Sequence, residues 1–359
     1  MSIASIRDVA RAVGVSTATV SRVINGRAGV SKAVRARVIA AAEKLRYVPD
    51  SAARALITGR TNRVGILLPD VYGGFFSELI RGADLAARRH ELQILLTATH
   101  GSAQEASQAI RSMRGQVDAL LIMSPHVNPK FLRQHVGEHT PVLLVGSRVR
   151  FNGVSHVGIE NRLGASAMVE HLGRLGYRRI AFITGPDDSG DAAERLAGYR
   201  HSLAQLRPLA RPIVLPGRFT EESGFAAGQR LALLDPRPEA VFAANDAMAI
   251  GCLLALREAH VRVPEDIALA GFDDVPLAQF VQPPLTTVRV PVRTLGEEAV
   301  AHLAARLRHP AIAPVVRKLP VSLIVRSSCG AAQRALSGYA ATARREQDKV
   351  LDHLMGSHT

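Results

Sequence analysis

The chain has 359 residues, 47% of them hydrophobic, which is enough for more than one packed core and excludes a disordered polypeptide. It holds two cysteines, Cys252 and Cys329, no apolar signal core at its start and no run of about 18 apolar residues. A disulfide-framed secreted domain and a helical membrane protein are therefore set aside, and a soluble cytoplasmic protein is expected. Of the net charge of +14, a share of +8 sits in residues 1–60, where eleven Lys/Arg face three acids; this points to a polyanionic partner, nucleic acid above all.

Residues 1–49 are patterned as helices. Ser5-Ile6-Arg7-Asp8 has the form of a capping box and predicts a helix start, with Ile6, Val9, Ala10 and Val13 as its apolar stripe. Gly14 ends that helix because the turn needs positive φ. Ser16 caps a second helix whose inward face is Val20, Val23 and Ile24, and Asn25-Gly26 stops it. Ser31 caps a third, with Val34, Val38, Ile39, Ala42 and Leu45 facing inward, and Pro49 closes the unit.

Residues 50–62 change character. Asp50-Ser51-Ala52-Ala53-Arg54-Ala55-Leu56 is short, small-residued and helix-compatible, followed by the breakers Gly59 and Thr61-Asn62. A helix this short is marginal alone, since isolated helices need roughly 12–15 residues, so it is expected to order only when something packs on it.

From residue 63 short apolar strands alternate with helices. Strands are predicted at 64–68, 93–96, 119–122, 142–145, 180–183, 240–243 and 267–270, with a helix at 76–89 and further helical stretches between most of the rest. This pattern argues for parallel sheets covered on both faces, and the strand number argues for two α/β subdomains. Ligands in such folds bind outside the carboxyl ends of the strands.

The run from Ile6 to Gly26 closely resembles the headpiece of the LacI/GalR repressor family. The resemblance continues through Tyr47-Val48-Pro49, Ala53-Arg54-Ala55-Leu56 and Val64-Gly65-Ile66. It returns at Arg195-Leu196-Ala197-Gly198-Tyr199, Asn245-Asp246, Gly271-Phe272-Asp273-Asp274 and Pro284-Leu285-Thr286-Thr287. It implies a helix-turn-helix headpiece (1–49), a hinge helix and linker (50–62), a two-subdomain periplasmic-binding-protein-like core (63–327) and a tail (328–359). It also implies a sequence-specific regulator, most often a repressor, that binds a pseudo-palindromic double-stranded operator and is switched by a small effector. A sugar or sugar phosphate is expected as that effector; a nucleoside or purine, and activation rather than repression, are the alternatives.

In a helix-turn-helix the second helix enters the major groove with its N-terminal residues on base edges. Thr17, Ala18 and Arg22 lie opposite Val20 and Val23 and are the expected base contacts; Arg22 can bond guanine through two nitrogens. Ser16, Thr19, Ser21, Asn25 and Ser31 suit phosphates, or serve only as helix caps. The resemblance implies that Ala53, Arg54 and Leu56 meet the minor groove, Leu56 as an apolar wedge between base pairs, with two hinge helices pairing across a dimer.

The resemblance also places an effector between the two core subdomains. The matching positions are Asp70, Tyr72, Phe75, Phe76, Arg195, Phe219, Asn245 and Asp273. They suit a polyhydroxylated ligand: Asp273 accepts, Arg195 donates, Asn245 does both, and phenylalanines offer faces to a sugar ring. Simpler readings stand beside these. Asp273-Asp274 can start a turn, Phe75-Phe76 can be core, and Arg195 can pair with Asp191 or Glu194. Val290 and Val292 stand where the family carries polar cleft residues, which points to an apolar group on that side of the ligand.

No catalytic or cofactor motif is present, so no enzyme and no cofactor are expected. His135 and His139 are four apart, yet without a third ligand they read as a solvated helix face, and no metal site is expected. Ala340, Ala343, Gln347, Val350 and Leu354 have heptad-like spacing with little apolar content, so a homodimer is favoured over a tetramer.

Overall fold

The computed structural model describes residues 4–24, 26, 28–47, 59–124, 126–137, 139–146, 153–207 and 211–333. Asn25, the hinge residues Ala53, Arg54 and Leu56, and the heptad-like stretch of the tail lie outside the described residues. The chain divides at Asn62/Arg63 into two compact units.

Among its described residues the first unit has three helices, α1 (Ile6–Val13), α2 (Thr17–Ile24) and α3 (Lys32–Lys44). Ser5 opens α1: its backbone N–H and its hydroxyl both donate to Asp8 Oδ2, at 2.9 and 2.7 Å. These bonds hold the Asp8 carboxyl below its ordinary range. Gly14 takes the left-handed conformation, φ 72°, that lets the chain turn into α2. Val9, Ala10, Val13, Val20, Val23, Val38 and Ala42 form one small core. Arg37 and Arg35 on α3 donate to the carbonyls of Val13 and Val23, the last turns of α1 and α2. Two residues assigned inward from the sequence are not: Ile39 is 44% exposed and Leu45 36%. Val38 and Ala42, four apart, already fill the narrow seam that α3 presents to α1 and α2.

The second unit holds two six-stranded sheets. Sheet one runs β2 (Gln93–Ala98), β1 (Arg63–Leu68), β3 (Ala119–Ile122), β4 (Val142–Val145), β5 (Ser155–Ile159), β11 (Val316–Leu319), all parallel. Sheet two runs β7 (Ile213–Leu215), β6 (Ile180–Ile183), β8 (Ala240–Ala243), β9 (Ala268–Asp273), β10 (Thr286–Arg289), β12 (Ser322–Ile324), with only β12 antiparallel. The order is the same in both. Each first strand lies between its second and third, so each sheet has a switch point where a crevice opens at the strand carboxyl ends. Central strands such as β3, β4, β6 and β8 are buried at every residue, as strands covered on both faces must be.

The chain does not finish one sheet before starting the other. It leaves sheet one after β5 for α7 (Asn161–Arg174) and sheet two. It returns after β10 through α11 (Val292–Arg308) to make β11, then crosses once more to lay down β12. Helix α11 packs along α4 (Gly74–Arg89), and the two backbones approach at paired glycines. A Cβ on Gly82 would run into the Arg293 carbonyl, and one on Gly296 into that of Leu79. Ser328 and Cys329 are fully buried; the Ser328 hydroxyl donates to Leu269 O and accepts from the Thr286 N–H. The core therefore runs past 327, and the expected start of a tail at 328 is corrected on that ground.

Candidate functional site

In the first unit, Thr17, Ala18 and Arg22 are exposed on one face of α2, opposite buried Val20 and Val23. Ser16 is a helix cap: its Oγ accepts from the Thr19 N–H at 3.1 Å and lies 3.0 Å from the Thr19 hydroxyl. Ser31 caps α3 through the Val34 N–H. Ser21 is half-buried. Capping leaves the Ser31 hydroxyl hydrogen available for an outside acceptor.

In the second unit the nominated residues separate into two groups. Arg195, Asn245, Asp273 and Phe219 come together at the carboxyl end of sheet two. Arg195, on α8 (Gly190–Leu206), is 3% exposed. Its Nε donates to Asn161 Oδ1 at 2.7 Å and its Nη1 to the Ala244 carbonyl at 2.6 Å; Nη1 also lies 3.2 Å from Asp273 Oδ1. The guanidinium carbon sits 3.8 Å above the Phe272 ring and 5.8 Å from that of Phe219. Its partner is thus Asp273, at the end of β9, and neither Asp191 nor Glu194. Asp191 accepts from Asn161 instead, and Glu194 bridges from α8 to Lys318 of β11 at 2.9 Å.

Asp273 is strained and buried, with φ 115° and 5% exposure. Burial pushes its carboxyl up to about 7; Arg195 pulls it down, and Asp191 pushes it up. Asp273 Oδ1 is buried and meets the Arg195 guanidinium at 3.2 Å without a well-aligned hydrogen bond. Asp274 beside it does not cap a helix. It pairs with Arg289 at 2.6 Å and Arg326 at 2.7 Å, fixing the turn that aims Asp273.

Behind this pair lies an acid that the sequence reading did not nominate. Asp246 is fully buried at the start of α10 (Asp246–Glu258). Its Oδ1 accepts from the Thr287 hydroxyl at 2.6 Å and its Oδ2 from the Val275 N–H at 2.9 Å. Burial first, and Asp273 second, raise its carboxyl well above the ordinary range. Three motifs far apart in sequence, Asn245-Asp246, Gly271 to Asp274 and Pro284 to Thr287, thus meet at one carboxyl group. Asn245 is committed too: its Oδ1 caps α10 through the Met248 N–H, and its Nδ2 donates to the Phe219 carbonyl. That bond holds Phe219 at φ 64°, with its ring against Gly185.

The second group follows β1 of sheet one. Asp70 Oδ1 accepts from the Val71 and Tyr72 N–H groups, closing a local turn, and Tyr72 is 72% exposed. Phe75 and Phe76 make an edge-on pair, 5.5 Å between centroids, and both pack on the main core. Val290 and Val292 are buried where the family pattern carries polar groups. His135 ends α6 (Pro129–His135) with its ring against Phe131, and His139 lies in the turn beyond it, so they do not share a helix face. Among the described residues, no group of three His, Cys, Asp or Glu is placed to hold a metal, and no helix is long and apolar enough to cross a membrane.

A helix-turn-helix unit joined to a two-sheet, periplasmic-binding-protein-like core defines a class of protein, the ligand-responsive DNA-binding transcription regulators. Residues 5–50 match the family of bacterial regulatory proteins, lacI family, and residues 169–329 match the periplasmic binding protein-like domain. The chain is 36% identical over 330 residues to the ribose operon repressor of Escherichia coli (strain K12), covering 90% of this chain and 99% of that one. The lac repressor dimer bound to operator and the anti-inducer ONPF superposes with a TM-score of 0.82 at 28% identity, covering 91% of this chain and 99% of that one. The complex of the regulator CelR with cellobiose superposes at 0.68 and 33% identity, covering 90% and 99%. The chain belongs to the lacI family of bacterial regulatory proteins.

Proposed function

We propose that this chain is a cytoplasmic, dimeric repressor whose grip on a pseudo-palindromic operator is set by a small sugar in the crevice between the two sheets. The observation that carries the effector class is the Arg195–Asp273 pair. It is buried and aimed by Asn161 and Asp274, and it stands at the carboxyl end of sheet two with a carboxylate oxygen that meets Arg195 at 3.2 Å without a well-aligned hydrogen bond. A hydroxyl is the group that satisfies such an oxygen, and one face of a sugar ring fits Phe219. Relatives named for ribose and crystallised with cellobiose support that class.

Thr17, Ala18 and Arg22 read bases, Ser16, Thr19, Ser21, Asn25 and Ser31 hold phosphates, and Leu56 enters the minor groove from the hinge helix. Leu277 and Phe280, exposed on one short turn, suit a second copy of the chain, and the lac repressor that this chain resembles is a dimer. A sugar that shifts the subdomains couples to operator affinity by about 1–3 kcal/mol, a 5–150-fold change.

The test is a thermal-shift screen of ribose, cellobiose, sugar phosphates and nucleosides, repeated on Asp273→Asn. A sugar that stabilises the parent chain and loses at least tenfold in affinity on Asp273→Asn is expected. Stabilisation by nucleosides alone defeats the sugar assignment. In a gel-shift titration Arg22→Ala should cost roughly 1–3 kcal/mol and relax preference at one base pair per half-site; undiminished binding removes α2 from the groove.

A further inference from the structure

At the other end of sheet two, away from the crevice, the strands begin beside a cavity of about 240 Å³. Its floor is apolar: Ile180 opens β6, Ile213 opens β7, and Leu203 comes from α8. Every charged residue that lines it is an arginine, namely Arg178, Arg179, Arg207 and Arg211.

Four guanidinium groups around one hollow repel each other, and none of the described lining residues is an acid. The carboxylate of Glu239 accepts from the backbone N–H groups of Arg178 and Arg179, at 2.5 and 3.0 Å, and so fixes the corner where α7 gives way to β6. Arg178 is held by the Gly173 carbonyl, 2.8 Å from Nη1. Arg179 Nε is buried and has no hydrogen-bond partner. A buried guanidinium donor left unused is costly, and an anion is the partner it lacks. Arg207 and Arg211 stand exposed at the rim, where they can close on a ligand.

We propose that this cavity binds a small phosphate monoester, at a site separate from the sugar crevice. A phosphate presents oxygens in several directions and carries nearly two charges near neutral pH, which suits guanidinium forks on more than one side. A carboxylate offers two oxygens in one plane and one charge. The floor of Ile180, Leu203 and Ile213 takes the organic part of an ester, for which free phosphate has no counterpart. A concave, floored hollow favours a small ligand over a nucleic acid strand, which calls for a groove.

The experiment is calorimetric titration of the full chain at pH 7.5 and fixed salt with phenyl phosphate, inorganic phosphate and acetate, and with a random-sequence DNA duplex. Phenyl phosphate is expected to bind more tightly than phosphate, and phosphate more tightly than acetate. The double variant Arg207→Gln/Arg211→Gln, both at exposed positions, should weaken phenyl phosphate at least tenfold, and Arg179→Gln should do the same. Asp273→Asn, in the crevice, should bind it as the parent does. The proposal is overturned if neither phosphate compound binds, if the double variant binds phenyl phosphate as well as the parent, or if acetate equals phosphate. It is also overturned if the double variant loses duplex binding while keeping phenyl phosphate.

Discussion

The two halves of the core share one strand order and differ in what stands at the ends of their strands. Sheet two ends in buried, mutually fixed polar groups, Arg195 and Asp273 with Asp246 behind them, and is tied to the end of β5 in sheet one through Asn161, which bonds both Arg195 and Asp191. The turn after β1 of sheet one is different: there Asp70 binds its own neighbours and Tyr72 stands in solvent. The same topology thus supplies two crevice walls that differ in the burial of the nominated residues they carry. Hydrogen-bonded groups in a low-dielectric interior are held in place more firmly than exposed ones.

Removing charge from each wall tests that contrast most strongly. Asp273→Ala leaves the Arg195 guanidinium buried without its acid and should cost about 3–5 kcal/mol in urea unfolding, whereas Asp70→Ala should cost about 0.5 or less. Equal losses would abolish the asymmetry. Gly82→Ala probes the helix layer over sheet one. The added methyl meets the Arg293 carbonyl and should cost about 1–3 kcal/mol by the same measurement.

A smaller effect distinguishes a buried acid from a surface one by its titration. Burial lifts Asp273 from 3.8 to about 7, so the folded chain keeps a proton that the unfolded chain releases in that interval. The stability linked to this proton is full below about pH 4 and falls as pH rises through about 7. Asparagine does not titrate. The melting temperature of Asp273→Asn relative to the parent should therefore be more favourable at pH 8 than at pH 5. A pH-independent difference would mean that the acid is not held in a desolvated site. Least of all, Tyr72→Ala should leave stability within about 0.5 kcal/mol and act only on ligand affinity.

Much of this was legible in the sequence where the pattern is local. Ser5 to Gly14 spells its own helix start and stop, and strands such as Ala119–Ile122 are unbroken apolar runs. β5 was not legible, because Ser155-His156-Val157-Gly158-Ile159 mixes polar residues into a buried strand. β11 was not either, because Val316, Arg317 and Lys318 face solvent at a sheet edge. In the site, Arg195 and Asp273 were each nominated, but their pairing depends on α8 and β9 meeting in space. Asp246 and Asn161 were missed for a related reason: an acid or amide opening a helix after a strand reads as a cap, and only the fold shows that it is walled in. Ile39 and Leu45 erred the other way, since an apolar residue on a helix carries no mark of how wide the seam beside it will be.

The exchange of chain between the sheets has a consequence for how the molecule is made. Among the described residues β11 and β12, each at one edge of its sheet, are the last strands laid down, within ten residues of each other. As the polypeptide leaves the ribosome, both sheets carry an open edge on β5 and β10 until residues 316–324 have emerged. Unpaired edges of this kind are templates for wrong pairing between nascent chains. Neither half can be completed first and shield the other; the two are finished together, once residues 316–324 have emerged.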